Sequence, residues 1–167
     1  MDLETQTSQK LHDEHMSVKA FLEKFAAELA RFKPGQLPDA SATVLNAMLA
    51  DLIAIVEVEL SVHFRFEEEW LFPLLQTGGA QDMGDLLSEE HDVILPLAYQ
   101  LCAHARTFRH EGYSAAAWDE FRRGGMELAE RLTAHIDKEE MGLVPMLDTL
   151  LDKDKDDELA VLYAGMR

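Results

Sequence analysis

Cysteine is almost missing from this chain. Cys102 is the only one in 167 residues, so no intrachain disulfide can form and no cysteine-based metal cluster can assemble. A single thiol suits a reducing compartment, and a cytoplasmic location is expected. Long apolar runs are missing too: none approaches the roughly 20 residues that cross a bilayer. The opening stretch MDLETQTSQK has neither a basic start nor an apolar centre, so no secretory signal is read there. Basic residues are scarce. The chain has 15 Lys and Arg against 32 Asp and Glu, a net charge of −17. Nucleic acid and anionic membrane surfaces repel such a chain, and neither is expected as a partner. No glycine-rich phosphate loop and no Ser/His/Asp arrangement appears. HDEH (His12–His15) is not the His-Glu-x-x-His of zinc proteases. No histidine follows a glutamate by three places, which excludes the Glu-x-x-His of ferritin-like di-iron proteins.

What remains is helical. Leu11, His15, Val18, Leu22, Phe25 and Leu29 recur at three- and four-residue steps, which predicts a helix from about Leu3 to Phe32. KPGQLPD (Lys33–Asp39) breaks it with two prolines and a glycine. Further helices are predicted from about Ala40 to Leu75, from Asp82 to Arg109, and from Ser114, a candidate N-cap, to Leu147. A short last helix is predicted from Asp156 to Tyr163. β signals are nearly absent. Long helices with short connections imply an all-α, up-down-up-down four-helix bundle, one domain over residues 1–167. Pro73, Pro96 and Pro145 should each kink or end a helix.

The sequence repeats itself. HFRFEEEWLFPLL (His63–Leu75) and HIDKEEMGLVPML (His135–Leu147) both read His-x-x-x-Glu-Glu-x-x-Leu-x-Pro-x-Leu. Upstream, DEHMSVKAF aligns His15 with EEHDVILPL and His91. Each half thus reads His and then His-x-x-x-Glu, so the bundle is built from two similar helical hairpins. Residues four apart share a helix face, which places His63 with Glu67 and His135 with Glu139. His15 and His91 are flanked by apolar residues at helical spacing, so their rings also turn inward.

Two ionised glutamates in a core cost several kcal/mol each unless cations sit beside them. No lysine or arginine obviously serves both. Arg131 lies one turn before His135, but Glu59 holds the matching place before His63 and is a candidate to take it. A pair of metal ions would neutralise both carboxylates. Mixed imidazole and carboxylate ligation suits iron or manganese, with zinc a further option.

At this point the pattern resembles the hemerythrin-like, or HHE cation-binding, domains, in their bacterial form. The resemblance rests on His15, His63-x-x-x-Glu67, His91 and His135-x-x-x-Glu139, in order, over about His12 to Leu147. It implies a four-helix bundle holding two iron ions bridged by an oxo group and by Glu67 and Glu139. His15, His63, His91 and His135 would be terminal ligands. Such centres often have five histidines. His12 lies about 60° round the helix from His15 and is the candidate fifth. Five imidazoles, two carboxylates and one oxygen would fill about eleven of twelve octahedral positions and leave one for O2, NO or peroxide. Two departures set the chain apart from oxygen carriers: Leu87 and Leu95 flank His91 where a second histidine would stand, and the last bridge is Glu139 rather than aspartate.

The resemblance implies a binder of O2, NO or peroxide, acting in sensing, scavenging or the response to oxidative and nitrosative stress. The alternatives are an iron storage or delivery protein for repair of iron centres, and a di-metal oxidoreductase with turnover. Glu68 and Glu140 repeat beside the bridging positions, either as acceptors for ligand histidines or in a solvated or interhelical role. Tyr99, near the His91 face, is a candidate site-lining residue. His104 and His110 read as surface residues. DKDKDDELAVLY (Asp152–Tyr163) lacks the glycine and the glutamate of a calcium loop and reads as a solvated acidic turn capping the last helix.

Overall fold

The computed structural model describes residues 3–166; Met1, Asp2 and Arg167 of the expected single domain lie outside the described residues. Every regular element among the described residues is helical. Helix α1 spans Gln6–Ala30, and the Thr5 hydroxyl accepts from the Ser8 amide at its start. Its buried stripe is the predicted one: Leu11, His15, Val18, Leu22, Phe25 and Leu29.

Helix α2 covers residues 43–77 and is not uniform. α-Helical turns at Thr43–Ala54, Ser61–Phe66 and Phe72–Thr77 alternate with wider π turns at Ile55–Leu60 and Glu67–Leu71. Pro73 stands two residues past the end of the second π turn. Proline has no N–H to return and its ring crowds the carbonyl four residues back, and the widened turn upstream makes room for it. Helix α3, Gln81–Glu111, runs through Pro96 without ending there. It stops at Gly112, whose φ of 85° favours glycine. Helix α4 spans Ala115–Met141 rather than reaching Leu147. Ser114 stands at its N-cap position, but its hydroxyl makes no capping bond. Gly142 interrupts the chain, and α5 resumes over Leu143–Leu150 with Pro145 inside it. Helix α6, Lys153–Gly165, is longer than predicted.

Helices α1 and α4 pack together, as do α2 with α3 and α3 with α4. His15 meets Glu140, Lys19 meets Asp137 and Phe25 meets Phe121 between α1 and α4. Between α2 and α3, Glu57 meets Arg106 and Glu68 meets His91. Helices α5 and α6 lie against α1. Asp148 accepts from the amides of Glu4 and Thr5, and Asp156 from those of Gln6 and Thr7. These carboxylates satisfy amides at the start of α1, which carries no acidic residue in its own first turn. Asp156 is therefore buried and bonded, not solvated as the sequence suggested.

The core divides in two. One apolar cluster holds Phe25, Leu29, Leu49, Phe64, Ile94, Phe121 and Ile136. The other holds Leu11, Phe66, Leu87, Leu143, Leu147 and Tyr163. The spacing of the repeat brings a polar layer between them: Leu11 and Val18 bracket His15, and Leu87 and Ile94 bracket His91. Each fully buried Leu or Phe contributes roughly 1.5–3 kcal/mol, and together the clusters offset the cost of that layer.

Candidate metal centre

Six of the seven singled-out residues meet in the polar layer. They form two groups, His15, His63, Glu67 and Glu139, and His91, His135, Glu67 and Glu139, with one ligand atom from each residue lying within 4.8 Å of the others. All are buried, and Glu67, Glu139 and His135 are fully so. The two glutamates belong to both groups. In the first, His63 Nε2 lies 3.0 Å from Glu67 Oε1, and His15 Nε2 lies 3.1 Å from Glu139 Oε2. In the second, His135 Nε2 lies 2.9 Å from Glu139 Oε1, and His91 Nε2 lies 3.4 Å from Glu67 Oε2. The Nε2 atoms also face each other in pairs, His15 to His63 at 3.1 Å and His91 to His135 at 3.0 Å. Phe64 stacks flat on His91 at 3.6 Å between ring centres and fixes its plane.

Each ring is held from behind by its own carboxylate. The Nδ1 of His15 lies 2.6 Å from Glu140, and that of His91 lies 2.7 Å from Glu68. The Nδ1 of His63 lies 3.0 Å from Glu14, and that of His135 lies 2.9 Å from Glu90. A carboxylate only accepts, so these partners assign a proton to Nδ1 and turn the Nε2 lone pairs inward. Carboxylate behind imidazole is the usual outer support of a metal ligand. Glu68 and Glu140 thus take the acceptor role that the sequence left open. Glu14 and Glu90 were missed, because only the histidines' own helix faces were read. Their signal was present: each immediately precedes a repeat histidine, in DEH and in EEH.

The centre demands positive charge. With neutral rings, none of the four oxygens of Glu67 and Glu139 receives a hydrogen bond, and all are buried. Orphaned buried carboxylate oxygens are rare and costly. Protons meet part of the demand. Burial lowers His15, His63 and His135, but adjacent carboxylates outweigh it and hold all three above the ordinary histidine value. Burial, with His135 beside it, pushes His91 down to about 3. Burial and then the facing Glu139 push Glu67 up. Burial also opposes ionisation of Glu139, yet bonds from His135 and His15 hold it well below the usual carboxylate range. A cation in each group would do the same work without leaving the lone pairs opposed. The donor set, two imidazoles and two shared carboxylates per group, fits a di-metal centre.

The remaining candidates lie apart. His12 is in neither group. It is partly exposed, and its Nδ1 lies 2.6 Å from Glu140 Oε2, behind His15 rather than beside the glutamate pair. Arg131 bonds Glu127 and not Glu59. Tyr99 is exposed and lines nothing in the centre. His104 meets Glu120 at 3.5 Å, its side chain one-fifth exposed, and His110 is exposed. Tyr163, from α6, was not anticipated: its hydroxyl donates to Glu14 at 2.5 Å and lies 3.3 Å from His63 Nδ1.

No helix among the described residues is long and apolar enough to cross a membrane. No curated protein matches the chain at significant similarity. The family model for the hemerythrin HHE cation binding domain matches residues 6–147, a span that contains both His/Glu groups and all four outer carboxylates. The chain therefore belongs to the hemerythrin HHE cation-binding domain family.

Proposed function

We propose that this chain is a single up-down-up-down four-helix bundle domain holding two iron ions, and that it binds O2, NO or peroxide there. The opposed contacts along α1 and α4 and along α2 and α3 support that topology. The single observation that carries the reading is the convergence of four imidazole Nε2 atoms on four orphaned carboxylate oxygens. His15 and His63 would hold one ion, His91 and His135 the other, and Glu67 and Glu139 would bridge them. His12 serves this arrangement from outside, by holding Glu140 against His15. Iron is favoured over manganese or zinc on the resemblance to the di-iron relatives.

When bound, such a pair supplies redox-active positions with room for a small ligand. The protein's own part is orientation and exclusion. Glu14, Glu68, Glu90 and Glu140 fix the rings. Val18, Leu60, Phe64, Leu132 and Ile136 line a small cavity that opens on His15, His63 and Glu139. Its apolar wall suits a diatomic molecule or peroxide better than a bulky polar substrate. The lone buried Cys102 fits a reducing, cytoplasmic setting.

The test is elemental analysis and a visible spectrum of protein expressed with iron supplied. About two irons per chain with oxo-to-iron charge-transfer bands are expected. The bands should change reversibly with O2 or NO. Folded, stable protein without metal would end the proposal. Rapid iron release to a chelator would favour delivery instead, and sustained peroxide or NO consumption with a reductant would favour an oxidoreductase.

A further inference from the structure

The two halves of the centre match closely in their inner ligands and diverge behind them. Glu14 and Glu90 hold equivalent positions, each accepting from the Nδ1–H of a histidine on the next helix. What holds these two glutamates differs. Glu90 meets the Lys138 ammonium, on a side chain that is 46% exposed. Glu14 meets a similarly exposed lysine, Lys10, on one oxygen, but its other oxygen, the one that accepts from His63, also accepts from the Tyr163 hydroxyl at 2.5 Å.

Tyr163 is placed firmly. It is 4% exposed, and its ring stacks on Phe66 at 4.2 Å and 17°. Two turns earlier on the same helix, Asp156 accepts from the amides of Gln6 and Thr7, which fixes α6 against the start of α1. The family match ends at residue 147, so Tyr163 and its anchor both lie beyond it.

We propose that Tyr163 is a positioning residue of the metal centre, and that its hydroxyl sets the His15/His63 metal position apart from the His91/His135 position. The inference rests on the metal-binding reading above. A glutamate at a bundle edge has several torsions to lose before it can hold a ring. Tyr163 fixes Glu14 with a buried neutral donor, whereas the Lys138 contact to Glu90 is open to water and salt. The repeat has no second tyrosine here: Glu90 is served only from α4, by Lys138 and His135 among its described partners.

Cobalt(II) is the probe, because its visible bands report on each bound ion. Metal-free full-length chain is titrated as wild type, Tyr163→Phe, Tyr163→Leu and Lys138→Met. Wild type should bind two ions. Loss of a direct outer partner costs about 10–100-fold in affinity. Tyr163 acts one bond further out, so Tyr163→Phe should weaken one ion by about three- to tenfold and shift its bands while leaving the other unchanged. Tyr163→Leu should lower thermal stability further without weakening that ion more. Lys138→Met should affect the opposite ion. If Tyr163→Phe binds two ions with the wild-type isotherm and bands, the inference falls and the metal reading stands. It falls equally if only Tyr163→Leu loses affinity, since ring packing would then be the whole effect. Wild type that takes up no cobalt would overturn both.

Discussion

Replacing Glu67 with its neutral isostere should move the stability of the protein in opposite directions with and without metal. Glu67 is fully buried, and its charge faces that of Glu139. Its nearest ring is His63 at 3.0 Å, which burial lowers but adjacent carboxylates hold above the ordinary histidine value; His91, at 3.4 Å, is pushed down by burial. An uncompensated buried carboxylate costs several kcal/mol, and a single ion pair returns only part of that. In metal-free protein near neutral pH, Glu67→Gln should therefore gain about 1–3 kcal/mol, because it removes the charge and can donate its amide to a histidine lone pair. For a chain of this size that is roughly 3–10 °C in melting temperature. With metal, the sign reverses. The variant loses a charged bridge, so it should hold fewer than two ions and gain little on adding metal, while wild type gains about 2.7 kcal/mol at a hundredfold excess over Kd. Paired thermal melts of chelator-treated and reloaded protein, with metal analysis on the same samples, measure both arms. A metal-free variant that melts at or below wild type would refute the burial argument. A reloaded variant with two ions would refute the bridging role.

Glu68→Ala removes the carboxylate behind His91 and should weaken metal binding about 10–100-fold, read by competition with a chelator; His104→Ala, remote from both groups, should leave metal content unchanged. Gly125→Ala should destabilise the fold by about 1–3 kcal/mol, because a Cβ there would come within 2.5 Å of Leu29 Cδ1 and 3.1 Å of the Phe25 ring; a denaturant melt equal to wild type would show that the helices yield. Asp148 titrates low because bonds from Ser8, Thr5 and two backbone amides outweigh the opposing effect of its burial. A depressed carboxyl contributes stability above its unfolded value and loses it as pH falls through the folded one. The stability difference between wild type and Asp148→Asn should thus be full above about pH 4 and shrink below it, and a difference constant to pH 2 would contradict the assignment.

The inner site was legible because it obeys helical periodicity. His63 and Glu67, like His135 and Glu139, are one turn apart on one face, and the duplication made the pattern hard to reach by chance. The all-helical architecture followed from the same periodicity. The outer layer was half legible. Glu68 and Glu140 stood out through the repeat, but Glu14 and Glu90 point across to histidines on neighbouring helices, at sequence separations of 49 and 45 residues. No single-helix argument reaches them. His12 lies about 60° round α1 from His15, yet its ring meets Glu140 outside both groups, a placement that helical spacing alone does not give. The prolines are a further case. The repeat places a proline ten residues after each histidine, yet α2 absorbs it with a π turn while α4 breaks. At the seventh place the two copies differ, Trp70 in one and Gly142 in the other. A side chain at Gly142 would strike Met83, whose Cε lies 2.7 Å from where a Cβ would stand.

The start of α1 is held by residues that come last. Asp156 reaches Thr7 across 149 positions, and Glu140 reaches His15 across 125. The contact of Glu68 with His91 spans only 23. During synthesis the α2–α3 hairpin can close early, with His63, Glu67 and His91 already assembled. Helix α1 waits, short of its partners on α4 and α6, until those segments emerge. Distant pairings of this kind form slowly. The final closure, when α1 and α4 meet, is then the step that completes both His/Glu groups.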